Sequence, residues 1–188
     1  MIIPVTEKYQ IPSGAISFDV TSRSTKWTRC FSPFYIGPIQ TYDGYCSVCL
    51  ENCYQFSKVF PEHIDQDQNP SQSYFDWAIK GWQSKNAVRY PMGIWNNNSF
   101  IYHFWDSKKL THKEARRTIF VHNFAKAVKD TEHFKGLQKI NEMYKEVYLI
   151  DFEGYDFRKL GMSYEDVLES SFPFGQGMVL SMMIDGFV

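Results

Sequence analysis

Residues 14–21, GAISFDVT, alternate imperfectly between apolar and polar and carry β-branched and aromatic side chains, which predicts a first strand, with a second short one over 34–40. Asp43-Gly44 marks a turn. Ser47 then stands as an N-cap, and the spacing Val48, Glu51, Tyr54 or Gln55, Lys58, Val59 has a helical period, so a helix is expected over 48–60, stopping before Pro61. Residues 61–71, with Pro61, Asn69 and Pro70, form a connector, and SYFDWAIKGW from Ser73 predicts a capped helix to Trp82. A second connector over 87–99 holds Pro91, Gly93 and the triple Asn96, Asn97, Asn98 and reads as mostly loop. The longest amphipathic stretch runs from Thr111 to Asp130. Thr111 caps it, Glu114 stands at the capping-box position, and Ala115, Ile119, His122, Phe124 and Val128 form the inner stripe. A helix over 131–144, an apolar strand over 146–152 (EVYLIDF), a short helix over 163–168 and an apolar closing helix over 174–185 complete the pattern. The sum is an α+β protein, mainly helical with a small β-sheet; without regular βαβ alternation a doubly wound fold is disfavoured.

Composition narrows the function classes. The 188 residues are read as one domain, 1–188, with no internal repeat. Lys and Arg number 20 against 21 Asp and Glu, so no bulk field draws the chain to nucleic acid or an acidic membrane, and any phosphate binding must come from a local patch. No run approaches the roughly 20 apolar residues of a membrane span. The opening MIIPVTEKYQIP lacks a basic segment followed by an apolar stretch, so no secretory signal is read and a cytoplasmic location is expected. Aromatics make up 18% of the chain, enough to line a core or a cleft for a planar ligand.

Cys30, Cys46, Cys49 and Cys53 crowd together, leaving residues 54–188 without a cross-linking partner, which argues against a secreted disulfide scaffold. Cys46-x2-Cys49 is followed by no second cysteine pair or spaced histidine pair, and His63, His103, His112, His122 and His133 are scattered, so neither a metal nor a cofactor is expected. There is no Gly-x-Ser-x-Gly elbow, and Ser32 is followed by Pro33. Gly175-Gln176-Gly177 lacks the third glycine of a dinucleotide fingerprint, though it can open a helix whose amides meet phosphate.

Three constellations remain. Glu51, Gln55 and Lys58, at offsets of four and seven, share one face of a helix. An exposed ion pair is the ordinary reading of such a face, but the neighbours Leu50, Cys53, Tyr54, Val59 and Phe60 leave little polar surface for a solvated helix and favour a buried, functional one. Asp151, Tyr155 and Asp156 in LIDFEGYDF follow a buried-looking strand, where loops place catalytic groups; a turn or cap carboxylate is the alternative. Arg89 in AVRYPMG, or Arg116 and Arg117 in the long helix, offers a guanidinium that forks onto phosphate oxygens.

Phe31-Ser32-x-Phe34 followed by Glu51-x3-Gln55-x2-Lys58 resembles the opening of the NADAR superfamily, whose members begin Phe-Ser-Asn-Phe and carry Glu-x3-Gln-x2-Lys on the first helix. The likeness continues through Ala87-x-Arg89 with Met92-Gly93, Trp105 ahead of the long helix, Asp151 at the late strand, and a glycine-bearing final helix with Leu180 and Met182. It covers about residues 28 to 185. DVTSR and FSPFYIGPI look like a divergent bacterial and phage branch. Pro33 replaces the family's asparagine, Trp-Gly does not follow the late Asp, and the Gly-x-Asn-x-x-Gly element is reduced to Gly175-Gln176-Gly177.

The resemblance implies cleavage of an N-glycosidic bond in an ADP-ribosyl or related ribosyl-base compound, including removal of ADP-ribose from guanine in nucleic acid. Glu51, Lys58 and Asp151 are the implied catalytic residues. Phe31, Ser32, Gln55, Arg89, Trp105, Gly175, Gln176 and Gly177 are the implied substrate-binding ones. Its implied partners are an ADP-ribose-like small molecule and modified DNA, with no membrane. A non-catalytic binder that sequesters ADP-ribose in the same cleft is the alternative, and an interaction protein using its aromatic surface is a third reading.

Overall fold

The computed structural model describes residues 1–97 and 99–188. The loop reading of Asn98 lies outside the described residues. In chain order the strands are β1 (Ile2–Val5), β2 (Ile16–Asp19), β3 (Ile39–Gln40), β4 (Cys46–Ser47), β5 (Lys58–Val59), β6 (Tyr102–Trp105), β7 (Lys108–Leu110) and β8 (Val147–Ile150). The α-helices are α1 (Leu50–Gln55), α2 (Gln72–Trp82), α3 (His112–Ala115), α4 (His122–Val128), α5 (Glu132–Met143), α6 (Tyr164–Glu169) and α7 (Gln176–Ile184). Helices occupy 41% of the chain beside small sheets, an α+β composition. No helix among the described residues is long and apolar enough to cross a membrane.

The chain forms two compact units, Met1–Tyr35 with Phe124–Val188, and Ile36–Asn123. In the first, β8 is the central strand of a parallel sheet ordered β1-β8-β2, with Ile2 and Ile16 both opposite Val147. A parallel strand paired on both sides reads as an unbroken apolar run, which VYLI is. The edge strand β1 tolerates Pro4 because an edge leaves one side of its ladder unpaired. The expected strand over 146–152 is trimmed to four residues, and β2 lies within the expected 14–21.

In the second unit β5-β6-β7 is an antiparallel sheet, and Tyr42, Phe56, Val59, Tyr74, Ala78 and Trp82 form its core. Asp43 and Gly44 both take positive φ, 53° and 77°, turning the chain between β3 and β4 as the Asp-Gly pair predicts. Of the strand expected over 34–40 only β3 forms, because Tyr35 N–H turns back to the Ser32 carbonyl at 2.9 Å. The helix expected over 48–60 is shorter. Ser47 lies in β4, where its hydroxyl donates to the Cys49 carbonyl, and the helix opens one residue after Cys49. It ends at Gln55 because Lys58 and Val59 pair with His103 and Tyr102, so Lys58 stands on a strand rather than on the helix. The helix from Ser73 appears as α2, preceded by Ser71 at the N-cap.

Thr111 and Glu114 exchange both capping-box hydrogen bonds, as expected. Arg116–Val121 then winds as a π-helix. A π turn inserts one residue into the 3.6-residue period. The inner stripe therefore steps from Ile119 by five to Phe124, and His122, assigned to that stripe, is exposed while Asn123 is buried. Thr131 caps α5, Ser163 and Asp166 form a second capping box at α6, and α7 closes the chain behind Gly175.

Candidate functional site

The Ile36–Asn123 unit holds a buried polar chain. The Gln55 side chain reaches back one helical turn, and its Nε2 donates to Glu51 Oε1 at 3.0 Å. Gln55 Oε1 accepts from Lys58 Nζ at 2.8 Å. Relative exposure is 8% for Glu51, 8% for Gln55 and 4% for Lys58, so the exposed-ion-pair reading does not apply. The three groups meet, but not by the helical spacing expected for Lys58: it stands on β5, and the turn at Phe56 and Ser57 returns its ammonium to Gln55. A carboxylate and an ammonium are thus bridged by one amide whose two ends match both partners.

Further groups converge on Lys58. Its Nζ also donates to Asn97 Oδ1 at 3.2 Å and lies 5.1 Å from the centroid of the Phe100 ring. His103, opposite Lys58 across β5 and β6, is fully buried. Ser57 Oγ donates to the Tyr54 carbonyl at 2.7 Å and lies 2.8 Å from His103 Nδ1. Because that hydroxyl has one hydrogen and spends it on the carbonyl, His103 Nδ1 must carry the proton. Nε2 is then a bare lone pair, and it has no hydrogen-bond partner among the described residues. Burial, and secondly Lys58 and His112, push the His103 pKa well below its ordinary value, so the ring is neutral. His112, whose Nδ1 lies 3.2 Å from Tyr54 Oη, is lowered to about 4 by burial, then by Arg116 and Lys58. Burial, reinforced by the neighbouring cationic groups, thus keeps two imidazoles uncharged at neutral pH.

Arg89 and Trp105 belong to the same unit. The Arg89 guanidinium lies 5.5 Å from the Tyr90 ring centroid, and Trp105 stands edge-on to Tyr42 at 5.4 Å, against the aromatic core. Arg116 is buried within the π-helical turn. Asn97, Phe100, His103 and His112 were not picked out by sequence reasoning. One signal for His103 existed, the alternating YHFW and KKL around Asp106-Ser107, whose positive φ values of 47° and 63° make a hairpin turn.

The other expected site residues lie in the Met1–Tyr35 and Phe124–Val188 unit. Phe31 is buried edge-on to Trp27 at 5.8 Å, and Ser32 is buried at the end of a short 3₁₀ turn, Trp27–Phe31. Gln176 Nε2 donates to the Val20 carbonyl at 3.0 Å. Asp151 is 2% exposed, and its Oδ2 accepts from Gly177 N–H at 2.8 Å. The anion held at the start of α7 is therefore this chain's own carboxylate. Burial raises the Asp151 pKa to about 6, while the Gly177 N–H pulls the other way. Any side chain at Gly175 would collide with that carboxylate, which is why glycine stands there. Tyr155, with Thr6, Phe152, Leu160, Phe172 and Pro173, lines an apolar cavity of about 230 Å³ in this unit. The four cysteines are free thiols.

Comparison with known proteins finds no family model that matches the chain, and no curated protein or solved structure that matches it.

Proposed function

We propose that this chain is a hydrolase of the N-glycosidic bond joining a ribosyl group to a base, acting on an ADP-ribosyl or related ribosyl-base compound, with ADP-ribosylated guanine among its substrates. The observation that carries the reading is the buried Glu51–Gln55–Lys58 chain, with its hydrogen bonds of 3.0 and 2.8 Å.

Breaking a ribosyl–nitrogen bond leaves positive charge on the sugar carbon and an electron pair on the base. A carboxylate held in a water-poor setting stabilises the first, and an ammonium beside it stabilises the second. Glu51 and Lys58 fill these roles. Gln55 fixes the carboxylate on one side and the ammonium on the other, so neither group must reorganise as charge develops. Water closes the reaction, its oxygen bonding to the sugar carbon and a proton ending on the base nitrogen. Arg89 supplies a guanidinium for the diphosphate. Asp151, committed to the start of α7, serves the fold of its own unit.

The test is chromatographic detection of ADP-ribose released from ADP-ribosylated guanosine. Glu51→Gln keeps the shape and removes the charge, and is expected to lower turnover by roughly 10²–10³-fold, the scale of losing one preorganised electrostatic group. Equal turnover by the variant removes Glu51 from the chemistry. Binding of ADP-ribose without turnover of any ribosyl substrate replaces the hydrolase with a sequestering protein.

A further inference from the structure

Asn52 follows Glu51 on α1 and is completely buried. A buried primary amide needs partners for its two N–H groups and its oxygen. One loop supplies all of them. Asn52 Nδ2 donates to the Ser84 carbonyl at 3.1 Å and to the Asn86 carbonyl at 3.0 Å, and its Oδ1 accepts from Val88 N–H at 2.8 Å. Alternate residues of the loop are thus wrapped around a single side chain. Ser84 Oγ tightens the wrap by donating to the same Asn86 carbonyl at 3.1 Å, and the Val88 side chain packs on the aromatic core that holds Tyr42 and Trp82.

The next residue is Arg89, which is half-buried. The chain beyond it turns where Gly93 N–H donates to the Tyr90 carbonyl at 3.0 Å, and it comes back to Asn97, whose Oδ1 accepts from Lys58 Nζ at 3.2 Å. Residues 89–96 therefore run between two anchors. The segment is tied at one end to the residue after Glu51 and at the other to Lys58 itself, and Arg89 stands next to the first tie. Because its backbone is set before any ligand arrives, only side-chain freedom is left for Arg89 to lose on binding.

We infer that Asn52 is a positioning residue for Arg89, and that through Arg89 it sets the protein's preference for ligands carrying a diphosphate. The inference rests on the proposed role of Arg89 and adds the group that makes that role work. Neighbouring side chains of α1 divide the task. Glu51 turns to Gln55, while Asn52, about 100° further around the helix, turns to the loop. Asn52 touches no ligand itself, since its amide is committed to Ser84, Asn86 and Val88.

The experiment is isothermal titration calorimetry of the whole chain with ADP at several salt concentrations, for wild type, Asn52→Ala, Arg89→Ala and the double variant. Wild type is expected to bind ADP with an affinity that falls as salt rises, because a guanidinium meets a diphosphate. Asn52→Ala is expected to weaken binding roughly tenfold and to flatten the salt dependence to that of Arg89→Ala, whereas a role confined to stability would leave that dependence alone. The double variant is expected to bind within about twofold of Arg89→Ala. Asn52→Ala is expected to fold, because Ser84 and Val88 are half-buried, Asn86 is exposed, and water takes over the freed backbone groups. Should it unfold instead, Ala87→Gly loosens the same loop without opening the core and is expected to weaken ADP binding roughly two- to fivefold. No ADP binding by wild type, wild-type affinity in Arg89→Ala or in the folded loop variant, or losses that add in the double variant overturns the inference. Release of ADP-ribose from ADP-ribosylated guanosine, with ADP affinity unchanged in Asn52→Ala, overturns it and leaves the proposed reaction standing. ADP binding that depends on Asn52 and Arg89, without such release, supports the positioning role and removes the reaction.

Discussion

Asp151→Asn isolates the charge that the fold places at the start of α7. Burial lifts the Asp151 carboxyl from 3.8 to about 6, so between these values the native state holds a proton that the unfolded chain releases. Stability therefore falls as pH rises through that window. At about 1.4 kcal/mol per pH unit, the distance from 3.8 to about 6 is worth about 3 kcal/mol. Asparagine stays neutral and its carbonyl oxygen can still accept from Gly177 N–H, so the variant lacks this dependence. His103 and His112 act in the opposite sense. Their lowered pKa values mean that the unfolded chain takes up protons first, and stability is lost as pH falls below about 6.5. The wild-type curve alone mixes both effects. The difference between wild type and variant, from urea unfolding at pH 4, 5, 6 and 7, cancels the histidine contribution. It is expected to shift by about 2.4 kcal/mol in favour of the variant from pH 4 to pH 7, since part of the total is already expressed at pH 4. Parallel wild-type and variant curves would show that the carboxylate is not held in a water-poor site.

Two substitutions probe the Ile36–Asn123 unit. Ser57→Ala deprives the buried His103 Nδ1–H of its acceptor and is expected to cost about 1–3 kcal/mol of unfolding free energy in urea, with no change in the slope against denaturant; a loss below measurement error would refute the tautomer. Gly81→Ala drives a methyl group into the Phe56 ring, which also packs on Trp77 at 4.7 Å, and overpacking of this kind costs about 1–3 kcal/mol; wild-type thermal stability would show that Phe56 can move aside.

Features set by neighbouring residues were legible in the chain. The Thr111–Glu114 box and the Asp43-Gly44 turn need only residues within three or four positions, and each forms where the pattern places it. What escaped depends on distant partners. β1 exists because Ile2 pairs with Val147, and α1 ends early because Lys58 pairs with His103. The π turn moves His122 out of the apolar stripe, and no local periodicity announces an inserted residue. The same division holds at the site. The Glu51–Gln55 link is an i to i+4 contact and follows from spacing, whereas Asn97 reaches Lys58 across 39 residues and His103 reaches Ser57 across 46. Asp151 was identified as a carboxylate of consequence at the end of its strand, and its partner, the Gly177 amide, lies 26 residues further on.

The proposed reaction rests on positive charge appearing at the sugar carbon beside Glu51, and a secondary isotope effect measures that charge. ADP-ribosylated guanosine carrying deuterium on the ribosyl carbon bonded to the base is to be compared with the unlabelled compound. Slower release from the deuterated substrate, a normal effect clearly above one, is the predicted result. Equal rates, or no release from either compound, would contradict the account.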